Sequence, residues 1–318
     1  MVGADWPQVD WPPVPLALGM LGLWTIYAFV SGVVAVPYND IVGRAIPSGR
    51  RSRLLAWRFF GGGVLAVLVA GILRLALDVM APLRAYALIF GLGAVLMIGS
   101  ATLFVAAGEP PTAAGVPRDR PANLSGFLRE GVATLQQDRR FRLFLIFQWL
   151  GAATLMALPF YVVAASRSGL GAADVGTLLA AQTVGALVSN PLWGRIGDRV
   201  GKLRLLGIVA LVRLGPPAMV LLLVVTGSGL AGFAALFFLI GAMMNGVTIG
   251  YLGFLMEISP DDRRPAYSAW FNSFAAPAAL APLLGGVMAG VIGVEAVFIA
   301  AILAALAQVA VGLRLSQD

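Results

Sequence analysis

Gly194-Arg195-Ile196-Gly197-Asp198-Arg199-Val200-Gly201-Lys202 is the stretch on which the fold turns. It sets three glycines and three basic residues around a single aspartate, between two apolar runs at 173–193 and 203–226. About 20 apolar residues at ~1.5 Å each cross the ~30 Å hydrocarbon core of a bilayer. The nonapeptide therefore reads as a tight turn between two membrane helices. Its glycines permit a close approach of backbones, and Asp198 can face the positive N-terminal end of a neighbouring helix.

Working outward, runs of the same kind recur at 15–37, 54–75, 83–107, 141–165, 173–193, 203–226, 230–256, 265–290 and 292–313. Only helices and closed barrels satisfy their backbone polar groups in lipid. These runs are far longer than the ~10-residue alternating segments of a barrel. The expected fold class is all-α integral membrane, with nine transmembrane helices. Composition agrees: 59% of the 318 residues are hydrophobic and only 12% charged, against about a quarter charged in soluble domains. The mean hydropathy is +0.90. The chain contains no His and no Cys, which removes thiolate zinc sites, disulfides, Ser-His-Asp triads and Cys nucleophiles. No Asp/Glu cluster supplies an acid/base pair, so no enzyme, catalytic residue, metal or cofactor is expected.

Charge placement gives direction. The formal charge is +7, carried by 21 Arg and a single Lys, Lys202. Eighteen of these lie in alternate loops and the tail, among them Arg50, Arg51, Arg118, Arg120, Arg195, Arg199, Lys202, Arg263, Arg264 and Arg314. The opposite loops hold only Arg74, Arg84 and Arg167. The positive-inside rule then puts the amino terminus outside and the carboxy terminus in the cytoplasm. The basic excess is an orientation signal and not a nucleic-acid footprint, and the expected location is the plasma (cytoplasmic, or cell inner) membrane.

The opening 13 residues carry Trp6 and Trp11 but no Lys or Arg, unlike the basic start of a signal peptide. Residues 109–121 are rich in Pro, Gly and Ala and read as a linker. After them Asn123 or Ser125 can cap a short amphipathic helix with Leu124, Phe127, Leu128, Val132 and Leu135 on one face. The expected organisation is a partial three-helix bundle at 1–107, a cytoplasmic linker with that helix at 108–140, and a six-helix bundle at 141–318.

The chain also repeats itself. A shift of 213 brings Tyr38 onto Tyr251, Pro47 onto Pro260, Arg50-Arg51 onto Arg263-Arg264 and Ala56-Trp57 onto Ala269-Trp270. Both copies sit at a turn on the basic side, and parallel repeats of this kind are a transporter feature. The 194–202 stretch resembles the G-x-x-x-D-R-x-G-[RK] signature loop of the major facilitator superfamily, with Gly194, Asp198, Arg199, Gly201 and Lys202 in the motif positions. Ile258 to Pro265 and Ala281-Pro282-Leu283-Leu284-Gly285-Gly286 resemble the turn before that family's eleventh helix and its Pro-Gly segment.

The resemblance implies a secondary transporter that moves a small solute by alternating access, with the bilayer and a small-molecule substrate as partners and an unidentified coupling ion. A full member has twelve helices. Placing the signature loop between the eighth and ninth makes the nine runs helices 4 to 12, and the chain is expected to be amino-terminally truncated by the first three. A non-transporting receptor or an inactive fragment is the alternative.

By that layout Tyr27, Gln148, Gln182, Asn245 and Asn272 are the candidates to line the cavity, since an amide in hydrocarbon must find a partner, whether substrate or another helix. Asp198 is expected to lie at the start of the second run, beside Ser52 and Arg53, as a conformational latch. The matching end near 263–265 is expected to lack an acidic partner. Arg213, the one charge deep in a run, either snorkels, faces a neighbouring helix, draws on carbonyls freed beside Pro216-Pro217, or takes an anion.

Overall fold

The structure is a computed structural model that describes residues 13–108 and 123–317. Trp6, Trp11 and the expected linker at 109–121 lie outside the described residues. Thirteen α-helices follow one another: α1 (Pro13–Ala45), α2 (Ser48–Val79), α3 (Pro82–Ala106), α4 (Leu124–Gln137), α5 (Arg139–Ala153), α6 (Leu158–Arg167), α7 (Ala172–Arg199), α8 (Lys202–Val212), α9 (Gly215–Thr226), α10 (Leu230–Ile258), α11 (Arg264–Ala275), α12 (Ala281–Val291) and α13 (Val294–Leu315). Among the described residues there is no strand, and nine helical segments are long and apolar enough to cross a bilayer.

Three of the nine crossings are composite. A 3₁₀ turn at Thr154–Ala157 joins α5 to α6, Arg213 and Leu214 separate α8 from α9, and a 3₁₀ turn at Ala276–Leu280 joins α11 to α12. Proline accounts for each break. Pro159 and Pro216 stand at the starts of α6 and α9, and Pro277 lies inside the second 3₁₀ turn. A proline offers no N–H and its ring clashes with the preceding turn. In the sequence all three breaks lie inside runs that read as continuous, with a break beside Pro216-Pro217 as one alternative for Arg213.

Helices α7 and α10 form the tightest pair. A Cβ on Gly185 would overlap the Phe238 carbonyl, and one on Gly241 would overlap that of Gln182. Small residues at such interfaces let membrane helices approach until their backbones touch. Around this pair lie three apolar clusters. One gathers Tyr161, Phe233, Phe237 and Phe298, a second Phe141, Phe144, Phe254 and Trp270, and a third Leu55, Trp193, Leu205 and Ile249. The third unites α2 with α7, α8 and α10. Helices α1 and α3 expose Trp24, Phe29, Phe90 and Leu103, as apolar helices facing hydrocarbon do, while the end of α1 at Asn39, Asp40 and Val42 is buried.

Helix α4 begins where expected. The Asn123 side chain accepts the Gly126 N–H at 2.8 Å. Its apolar face divides, however: Phe127 and Leu135 pack on the cluster of Trp270, while Leu124, Leu128 and Val132 stay exposed. Gly131 explains the contact, because a Cβ there would stand 2.7 Å from the Trp270 ring. The Trp270 indole N–H donates to the Phe127 carbonyl at 3.0 Å.

Candidate functional site

The turn between α7 and α8 reverses the chain at Gly201, whose φ of +101° favours glycine. This brings Asp198 to the start of α2. Its Oδ1 accepts the Ser52 N–H and its Oδ2 the Arg53 N–H, each at 3.0 Å. Those N–H groups belong to the first turn of α2, which has no intrahelical acceptor for them and carries partial positive charge. Gly194 and Gly197 make the approach possible. A Cβ on Gly194 would lie 2.7 Å from Ala56 Cβ, and one on Gly197 2.6 Å from Ser52 Cβ. Lys202, with only 4% of its side chain exposed, lies 3.7 Å from Asp198 Oδ1 and donates to the Ser48 carbonyl at 2.5 Å. Asp198 thus stands at the helix end to which the sequence reading assigned it. Arg199 points instead to the surface, into a cavity shared with α2.

A second contact on the same arginine-rich face joins the two copies of the repeat. Arg51 turns back on its own turn and donates to the carbonyls of Ile46 (2.9 Å) and Gly43 (2.5 Å). Its repeat mate Arg264 is buried, pairs with Asp261, and runs across Gly43, where a Cβ would stand 2.8 Å from Arg264 Cδ. Arg263 pairs with Glu130 of α4 and lies 5.3 Å from the Trp270 ring centre. As expected, no carboxylate caps the start of α11 as Asp198 caps that of α2. The acidic groups nearby, Glu130 brought in by α4 and the local Asp261, pair with the arginine side chains instead.

The expected cavity residues are spread over five helices. Gln148 on α5, Gln182 on α7 and Asn245 on α10 are half-buried, whereas Asn272 on α11 and Tyr27 on α1 are exposed. Among the described residues none of the five side chains has a hydrogen-bond partner, although Tyr27 packs against Trp24 at 5.8 Å. The structure does not gather them around either cavity it describes.

Arg213 faces the bundle interior and does not snorkel; it is 3% exposed. Its Nη1 lies 3.4 Å from Gln308 Oε1, and Gln308 Nε2 donates to the Phe147 carbonyl (3.1 Å) and Tyr251 Oη (2.8 Å). The carbonyls freed at the α8–α9 break are not its partners. Gln308 escaped the sequence reading although it is the lone amide of the last run, because that run was not placed on the cavity. Asn190, fully buried with neither amide atom partnered, also escaped it.

The family model described as Major Facilitator Superfamily matches residues 144–316. No curated protein sequence matches the chain. Among solved structures the chain is similar to the crystal structure of a bacterial homologue of the iron transporter ferroportin in an outward-facing state. That likeness has 15% identity and a TM-score of 0.62, and covers 91% of this chain and 70% of the other. At that identity it is a likeness of fold.

Proposed function

This chain belongs to the major facilitator superfamily and is a multi-pass membrane protein of transporter type, and we propose that it works by alternating access with Asp198 as its cytoplasmic latch. The observation that carries the reading is the two-pronged contact of the Asp198 carboxylate with the Ser52 and Arg53 N–H groups. It ties the α7–α8 turn to α2 across 145 residues of sequence. A carboxylate at a helix N-terminus contributes ~0.3–1 kcal/mol when exposed and up to ~2 when partly buried. Such a contact shifts a two-state population without locking it.

In this reading the arginine-rich face is cytoplasmic, the protein sits in the plasma membrane, and the latch is closed on that side. The likeness to a structure described as outward-facing supports the same state. Residues 1–107 and 141–318 are the two moving bundles and 108–140 the linker between them. Gln148, Gln182, Asn245, Asn272 and Tyr27 offer the hydrogen-bonding groups that a small organic solute needs.

The test uses the absence of native cysteine. Spin labels on Gly49→Cys and Arg199→Cys flank the latch, and their separation is measured by double electron–electron resonance in proteoliposomes. Two distance populations are expected, with Asp198→Asn moving weight to the longer one. A single distance that Asp198→Asn leaves unchanged would overturn the reading.

A further inference from the structure

The two copies of the repeat treat the same side chains differently. In the second copy Arg263 has a carboxylate partner, Glu130, and Trp270 is 0% exposed beneath α4. In the first copy the equivalent Arg50 and Trp57 have no such cover, and Trp57 is 62% exposed. They border instead a cavity of about 460 Å³ between α2 and α7. Arg53, Arg195 and Arg199 line it as well. Among the described residues none of these four guanidinium groups has a side-chain partner. The only carboxylate lining the cavity is Asp198, and both of its oxygens are already taken by the α2 backbone.

We propose that this cavity is a binding site for a phosphate group, presented as the headgroup of an anionic phospholipid or as a free phosphate. Guanidinium groups match phosphate oxygens in a planar fork and are more weakly hydrated than ammonium. The cavity lies at the end of two membrane-length helices, the depth at which headgroups lie and at which basic pockets between helices take anionic lipids. Trp57 and Phe60, edge to face at 5.6 Å, border its apolar side, where an aromatic pair suits the interface. In the second copy Glu130 and α4 fill the equivalent place; in the first a phosphate does. Because Arg53 also supplies an N–H to Asp198, an occupant of the cavity sits against the α2–α7 contact.

The site is tested by binding. The full chain is placed in nanodiscs of phosphatidylcholine alone and of equal parts phosphatidylcholine and phosphatidylglycerol, and retained lipid is counted by native mass spectrometry. In parallel, thermal unfolding in detergent is followed with inorganic phosphate and with chloride at matched ionic strength. Arg50→Gln with Arg195→Gln is compared with Arg204→Gln with Arg314→Gln, which removes two exposed arginines elsewhere.

Retained phosphatidylglycerol that the cavity pair weakens about thirtyfold, the effect of two surface guanidinium contacts, and that the other pair leaves intact, supports the site with a lipid as its source. Stabilisation by phosphate over chloride, lost in the cavity pair alone, supports it with the free ion as source. Equal loss in both pairs, or no preference for either phosphate probe, overturns the proposal.

Discussion

Asp198 owes its neighbours in space to its neighbours in sequence. Its spacing from two glycines and a lysine, and the direction in which α2 enters the membrane, together place it at the α2 N-terminus. Asp198→Asn keeps one acceptor and loses the charge, so a stability loss of about 0.3–2 kcal/mol is expected by thermal unfolding. Gly197→Val should cost more, since its side chain would occupy the space of Ser52. Arg213 was legible only as an anomaly, because a buried partner on a distant helix leaves no local signal. Its partner is neutral, and the pair is therefore lopsided. Gln308→Leu leaves a buried cation facing an apolar group, whereas Arg213→Met leaves an amide that still bonds Phe147 and Tyr251. Gln308→Leu should destabilise the more, and adding Arg213→Met to it should recover part of the loss. A double-mutant cycle by thermal unfolding measures this, and additive losses would refute the coupling.

At the scale of elements, the runs and their order were readable because ~20 apolar residues have one outcome in a bilayer. The 3₁₀ turns at Thr154–Ala157 and Ala276–Leu280 were not. Hydropathy is blind to whether a proline is absorbed within a helix, as Pro37 and Pro191 are, or breaks it, as Pro277 does. That outcome depends on neighbours able to satisfy the freed backbone groups. The amphipathic pattern of α4 likewise gave its start, through Asn123, but not its contact, which rests on Gly131 admitting Trp270. Gly131→Leu should therefore lift α4 from α11 and break the Glu130–Arg263 pair. Limited proteolysis reads this directly: cleavage after Arg129 should appear in the variant and be slow in the parent chain, and equal rates would mean that α4 is held by something other than Trp270.

For the whole molecule, the proposed orientation follows from where the arginines fall. Eighteen basic residues stand on one set of loops and the tail against three on the other. Charge placement of this kind sets topology as loops are retained or translocated. The structure adds a physical link between that asymmetry and the fold. The same face carries both contacts made by the repeat, Asp198 at α2 and Arg264 across Gly43, so the charges that orient the chain also surround its inter-helix clasp. If the arginine-rich face is cytoplasmic, a reporter fused after Asp318 and one placed in the loop after α6, at 166–171, must lie on opposite sides, because five crossings separate them (α7; α8 with α9; α10; α11 with α12; α13). A phosphatase active only in the periplasm should then be active at 166–171 and silent after Asp318, and a fluorescent protein that folds in the cytoplasm should show the reverse. Moving basic residues tests the cause: replacing Arg263 alone should leave the pattern unchanged, since seventeen basic residues still outnumber three. Activity of the same reporter at both positions would mean that the number of crossings is not the odd number the helices imply, and the proposed orientation would fall with it.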